Sequence, residues 1–393
     1  MVLGALPIGM LGLGLLLYVH QLTDSFTVGG LASAAFGLGN AAGMTAQGRL
    51  IDRYGQARIL APVGVACTAW SVLLVAAVPT ADGTSIAVAA SAGMGACIPA
   101  TTGSMRVLLA ELLRGTAART AGYAMLAVLF QLALLSGPLV TSLLLVMAGP
   151  SAAVVTGGSL AGAAGLLFST TRASRNWRPA RMSAGQDGVR KNAGLAVLLL
   201  IAAGTGLSAG MVAVAVPAAA LALGNATNSG VLIAMMSAGE ITAGLGFGSR
   251  PWRRSAARLL LAAVAGSSVA VGLTACAAGS LTLLFPSLFM LGLCNGPAAI
   301  ASSALLDTLA SRAALTRAYT LMVGLSLVSG AVGNAVGGAV TESLGHQLTF
   351  MINAFLVAGT WVVGTLFRRV LETTPDVLEK DFNEPHQRSL KGR

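Results

Sequence analysis

Apolar runs long enough to cross a bilayer recur twelve times along the 393 residues. A helix needs about 20 apolar residues to span the hydrocarbon. Runs of that order fall at 3–20, 28–47, 59–79, 84–105, 120–146, 151–170, 193–218, 228–248, 258–277, 281–304, 318–340 and 348–367. Short polar turns separate them. The narrowest is Ala278-Gly279-Ser280, almost the whole break between the ninth and tenth runs. The first run starts at Met1 with no basic residue before it, so a retained first helix is expected rather than a cleaved leader. This pattern predicts an all-α integral membrane protein.

The polar positions orient the chain. With the N-terminus placed in the cytoplasm, all 24 Lys and Arg fall on the inner side. The inner turns carry Arg49, Arg53 and Arg58, then Arg106, Arg114 and Arg119, then the dense run from Arg172 to Lys191, then Arg250, Arg253, Arg254 and Arg258, then Arg312 and Arg317. The tail carries the rest. The outer turns hold Asp24, Asp82 and Glu342 with His20 and His346. This is the positive-inside pattern without exception. It predicts a multi-pass protein of the cell membrane with both termini cytoplasmic. The longest polar stretch before the tail follows the sixth run, which divides the chain into a six-helix bundle (1–171), a cytoplasmic linker (172–192), a second six-helix bundle (193–368) and a cytoplasmic tail (369–393).

Composition agrees. The chain is 55% hydrophobic and 9% charged, against about 25% charged in soluble domains. A net charge of +11 on a soluble domain would suggest nucleic acid, but here the bases are confined to turns, so no nucleic-acid partner is expected. Cys67, Cys97, Cys276 and Cys294 lie inside apolar runs without CxxC spacing, so they predict neither disulfides nor a metal site. No Walker sequence is present, which leaves ATP-driven pumping without support. No cofactor is expected, and a monomer is.

The most polar early turn is Gly48-Arg49-Leu50-Ile51-Asp52-Arg53-Tyr54-Gly55-Gln56-Ala57-Arg58. Its two glycines permit a sharp reversal. A degenerate copy opens at Gly248, with Gly48, Arg53, Ala57 and Arg58 recurring as Gly248, Arg253, Ala257 and Arg258. Pro99 and Arg119 likewise pair with Pro297 and Arg317 at one common separation. A duplicated six-helix unit is a transporter architecture.

The segment Gly48-Arg49-Leu50-x-Asp52-Arg53-Tyr54-Gly55 resembles the signature turn between helices 2 and 3 of the major facilitator superfamily, and the chain is similar to bacterial twelve-helix, proton-coupled efflux permeases. The resemblance implies two pseudo-symmetric six-helix bundles and alternating access to a central cavity. It makes Gly48, Arg49, Asp52, Arg53, Gly55 and Arg58 a cytoplasmic gate, with Glu111 and Arg119 as candidate partners. Two departures stand out: Gln56 replaces the family's basic residue, and Gly93-Met94-Gly95 lacks the intramembrane arginine many members carry before it. Ser136-Gly137-Pro138 matches the core of the family's antiporter motif, but Thr141-Ser142 replaces its following glycines. Pro138 removes a backbone donor and is a candidate helix bend.

Glu240, in the eighth run, is the one ionisable side chain placed well inside a helix. Intramembrane carboxylates are expensive and by default functional, so Glu240 is the candidate coupling residue. The alternative is a carboxyl bonded locally, to Ser237 or to backbone. Asn40, Gln131 and Asn334 fall at similar depth, and Asn295 stands beside Pro297. These four are candidate cavity-lining residues, or else inter-helix hydrogen bonds. His20 and Asp24 are one helical turn apart and read more readily as a solvated helix end than as a pH-sensitive pair. The expected function is proton-coupled efflux of a small amphipathic organic compound. Uptake of a small metabolite by the same fold and a non-transporting sensor or scaffold are the alternatives.

Overall fold

A computed structural model describes residues 2–77, 83–113, 116–177, 193–248, 254–310 and 315–372. The described residues form fourteen α-helices. The first half contains α1 (Val2–Thr23), α2 (Phe26–Tyr54), α3 (Gln56–Ala77), α4 (Gly83–Ala96), α5 (Thr101–Leu112), α6 (Thr116–Ala148) and α7 (Pro150–Thr170). The short α8 (Arg172–Asn176) opens the expected linker, whose remainder lies outside the described residues. The second half contains α9 (Ala193–Ala222), α10 (Asn228–Gly248), α11 (Ala256–Ala277), α12 (Leu281–Leu309), α13 (Leu315–Leu366) and the short α14 (Arg368–Glu372).

Twelve membrane passes result. Among the described residues, ten helical stretches are long and apolar enough to cross a bilayer by length and composition. One of them joins α4 and α5, and another is α13, which contains two passes separated at Gly345 by its non-helical backbone (φ 83°, ψ 162°). The twelfth pass, α2, misses that standard because Asn40 and the glycines Gly29, Gly30, Gly37, Gly39 and Gly43 dilute even its most apolar stretch.

Helix ends follow local chemistry. Ser25 caps α2 by accepting the Val28 N–H at 3.2 Å, and Ser255 does the same for α11 with Arg258. Pro150 opens α7, where the first turn needs no donor. On the arginine-free face the joints are short: Asp24–Ser25 between α1 and α2, Gly149 alone between α6 and α7, 223–227 between α9 and α10, Ala278–Ser280 between α11 and α12, and Gly345 within α13.

The buried apolar clusters keep to one half each. Leu11, Leu15, Phe36, Leu74, Met94 and Val154 form the main cluster of the first half. In the second, Leu198, Ile201, Leu260, Leu305 and Leu306 form one cluster and Val212, Leu232, Val271, Leu288 and Phe350 another. Large apolar side chains left exposed, such as Leu143, Met147, Leu167, Val269, Phe355 and Leu366, are ordinary for a surface whose solvent is lipid. The tail expected from residue 369 begins as α14, whose Leu371 is buried against the second half.

Candidate functional site

A cavity of about 780 Å³ lies against the second half, walled by α9–α13 and closed on one side by Val128, Gln131 and Leu132 of α6. Pockets of this size suit small organic ligands. From the level of Glu240 and Asn295 it extends past Gly244 and Leu245 on α10, Ile300 and Ser303 on α12, and Tyr319 and Val323 on α13. Those positions run toward the helix ends that bear the arginines, and Leu245, Tyr319, Ile300 and Val323 are exposed. The cavity therefore opens at the arginine-bearing end.

Glu240 is the only charged side chain among the described lining residues. The side-chain amides of Asn295 and Gln131 lie beside its carboxyl. Asn295 is oriented in turn, because its Oδ1 accepts the Ser267 hydroxyl at 3.0 Å and its NH2 is left to face the carboxyl. The chain Ser267–Asn295–Glu240–Gln131 thus runs from α11 through α12 and α10 to α6, ending in the other half. Thr205, Ser303 and Ser326 also line the cavity, and each donates its hydroxyl hydrogen to a carbonyl of its own helix.

Of the four amide residues expected to line a cavity, Gln131 and Asn295 stand on this wall, and Asn40 and Asn334 do not. Asn40 is buried in α2, with its backbone against Gly95 of α4 and its Oδ1 unpartnered. Asn334 sits where α13 packs on two helices at once: a Cβ at Gly30 would strike its carbonyl, and one at Gly210 would approach its N–H. At both positions the backbone packs closely on a neighbouring helix, and each side-chain oxygen is buried with no hydrogen-bond partner among the described residues.

Toward the arginine-free end the halves close on each other. Gly230, in the first turn of α10, donates its N–H to Ser142 Oγ of α6 at 2.9 Å, and a Cβ there would meet the Pro138 carbonyl. Glu342 of α13 accepts the Thr27 N–H at 2.7 Å and the Ser25 hydroxyl at 2.5 Å, both at the start of α2. Gly30 and Gly338 bring the backbones of α2 and α13 together just beneath. Pro138 does not break α6, which stays helical from Thr116 to Ala148. His20 stacks on Phe26, with ring centroids 3.9 Å apart, and Asp24 bonds back to the His20 carbonyl through its own N–H.

The expected gate turn is more helical than its composition predicts. Gly48, Arg49, Asp52 and Arg53 belong to α2, which runs to Tyr54, and Arg58 belongs to α3. Gly55 alone makes the reversal, with φ 90°, where a side chain would be strained. Beyond the hydrocarbon, water and charge no longer oppose helix, so the polar residues extend it rather than end it. Asp52 is exposed and, among the described residues, forms no ion pair. Arg53 lies over the Tyr54 ring, 5.2 Å from its centroid. The side chains of Glu111 and Arg119 lie outside the described residues. Gln56, the departure from the family pattern, is buried and donates to the Ser104 carbonyl at 3.4 Å, tying α3 to α5.

Sequence reasoning passed over Gln47. It is buried, its Nε2 donates to the Ala96 carbonyl at 3.0 Å and the Ile98 carbonyl at 2.8 Å, and its Oε1 accepts the Ala100 N–H at 3.0 Å. These are the backbone groups freed where Pro99 divides α4 from α5. The proline in the fourth run was the available signal, since a broken membrane helix needs a partner for its loose ends.

No protein-family model and no curated protein matches the sequence. Solved structures do match in shape. The nucleoside transporter NupG has a TM-score of 0.71 at 15% identity, over 95% of this chain and 98% of that one. A bacterial homologue of the human lysosomal transporter Spinster, solved inward-facing and unoccupied, gives 0.69 at 13%, over 94% and 95%. The human organic anion transporter MFSD10 gives 0.62 at 15%, over 92% and 96%. The chain has the major facilitator fold, twelve membrane-spanning helices in two pseudo-symmetric six-helix bundles.

Proposed function

We propose that this protein is a secondary active transporter that exports a small amphipathic organic compound in exchange for protons. The observation that carries the reading is the position of Glu240, the one charged side chain among the described residues of the cavity wall, with Asn295 of its own half and Gln131 of the other beside its carboxyl. A bare carboxylate at mid-membrane costs about 2.5–3.5 kcal/mol on insertion scales. Glu240 therefore crosses between states neutralised, by a proton or by the charge of a ligand, and that requirement couples the two.

The positive-inside rule puts the arginine-bearing end in the cytoplasm. The structure is then an inward-open state, with its outer seal formed by α2 against α13 and α6 against α10. Alternating access follows if the halves rock about the level of Glu240. The fold similarity supports transport in general, and the partial Ser136-Gly137-Pro138 motif supports the export direction.

The test is growth of an exporter-deficient bacterial host against a broad panel of toxic compounds, with native protein and Glu240→Gln at matched membrane levels. Resistance to at least one compound, lost in the variant, is the expected result. Resistance retained in the variant removes Glu240 from coupling. No resistance from membrane-inserted native protein overturns export.

A further inference from the structure

The lining chemistry of this cavity is one-sided. Glu240 supplies a negative charge, and no Lys, Arg or His stands among the described lining residues to oppose it. Thr205, Ser303 and Ser326 have spent their hydroxyl hydrogens on the carbonyls of Ile201, Ala299 and Met322, and Ser267 has spent its own on Asn295. Each therefore presents lone pairs and no donor. The amides of Gln131 and Asn295 beside the carboxyl are neutral and do not cancel its charge. Ser208, Ser302 and Tyr319 add neutral hydroxyls, and the remaining wall is largely apolar, with Val128, Leu132, Val212, Met236, Leu291 and Met322.

We infer that the cavity is a binding site for a singly charged organic cation, its charged group against Glu240 and its apolar body directed toward the arginine-bearing mouth. The inference rests on the reading of this cavity as the transport site. An anion would be desolvated beside a carboxylate with no base in reach, and buried unpaired charge is strongly disfavoured. A dication would leave one charge uncompensated. A monocation satisfies the carboxylate and needs no donor from the hydroxyls, while its apolar surface fits the greasy wall.

The exchange balances as written. With the carboxyl protonated, arrival of the cation breaks the O–H bond, the proton leaves through the open mouth to water, and the carboxylate retains the electron pair facing the cation. One positive charge replaces another, so the site carries the same net charge in both loaded forms.

The probe set is tetraphenylphosphonium, tetraphenylborate of nearly the same shape but opposite charge, neutral triphenylphosphine oxide, and the dication decamethonium. Binding to the full-length purified protein is read by calorimetry, and proton release by a pH indicator in weak buffer. Tetraphenylphosphonium is expected to bind at least about tenfold more tightly than each of the other three, to bind more weakly as pH falls, and to release up to about one proton per cation. Glu240→Gln should abolish the release and the pH dependence, whereas Glu240→Asp should keep both. Equal binding of the borate or the phosphine oxide, absence of saturable phosphonium binding, or unchanged proton release in Glu240→Gln overturns the cation assignment. Tight decamethonium binding overturns its single charge. Phosphonium binding with proton release from a protein that confers no resistance leaves this assignment standing and removes the export reading instead.

Discussion

Ser142 on α6 caps α10 from the opposite half, its Oγ accepting the Gly230 N–H at 2.9 Å. The first-turn N–H groups of a helix have no partner within the helix, and α10 takes one from the other half of the molecule. Glu342 on α13 does the same for α2 through Thr27 and Ser25. In the twofold repeat α2 corresponds to α10, and α6 to the first arm of α13. Each half thus caps a helix of the other, at equivalent places.

Ser142→Ala removes the oxygen and leaves the Gly230 N–H buried without a partner. Loss of a cap costs about 0.5–2 kcal/mol. Hydrogen exchange over residues 228–234 is expected to speed up by about 2–30-fold, with exchange elsewhere in α10 little changed. Unchanged protection of that turn would mean that the outer end of α10 is held by packing alone.

Glu342→Ala should expose the start of α2 in the same way, and Glu342→Gln should retain part of the effect, because an amide oxygen still accepts from Thr27. A charged acceptor at a helix N-terminus adds about 0.3–1 kcal/mol and is screened by salt. The gap between native protein and Glu342→Gln is therefore expected to narrow from low to high ionic strength. Exchange rates over residues 26–31 measure it.

Gly30 lies where α2 and α13 approach most closely, and a Cβ there would meet the Asn334 carbonyl and, at 3.0 Å, the Gly338 Cα. Gly30→Leu is expected to prevent α2 and α13 from closing at the arginine-free end while leaving the separate cores of the halves intact. Membrane level should hold while the resistance expected from the proposed export is lost. Retained resistance would show that this contact yields without consequence.

Gln47→Ala strands two carbonyls and one N–H at the break between α4 and α5. Each buried group without a partner costs about 1–3 kcal/mol, so a large fall in Tm is expected. Gln47→Glu, which keeps the acceptor but loses the donors, should fall between the two. A Tm unchanged in Gln47→Ala would show that water replaces the side chain.

Glu372 clasps α14 to α11 through Arg258 at 2.8 Å, and pairs within α14 with Arg368 at 3.4 Å. Hydrogen bonding from Arg258 holds its carboxyl below the usual carboxylate range. A group lowered in the folded state contributes above its unfolded pKa, about 4.3 for Glu, and loses that contribution as pH falls through the lowered value. Glu372→Gln is expected to loosen α14 at pH 7, by exchange rates over residues 368–372, and the difference should vanish in acid.

The twelve passes were legible because lipid enforces length and apolarity, and even the three-residue joint Ala278–Ser280 could be placed. Glu240 stood out by charge alone, and Gln131 and Asn295 by polarity at its depth. Asn40 and Asn334 carried the same signal yet meet neighbouring helices, because polarity at mid-depth does not encode which way a helix faces. The caps were not readable: Ser142 and Gly230 are 88 residues apart and Thr27 and Glu342 are 315 apart. Only the docking of the halves makes them neighbours. The helical run of α2 to Tyr54 was missed because charge was taken to end the helix, where it marks only the end of the hydrocarbon.

The arginine-free face is stitched by joints of one to five residues wherever it is described. Such joints give paired helices no slack to slide or splay at that end, so α6 drags α7 with it, and the two arms of α13 turn together. Each half behaves there as a stiff lever. A small displacement imposed near Glu240 reaches the arginine-free rim with little lost to internal deformation, and the freedom that the proposed rocking needs is left to the plane between the halves.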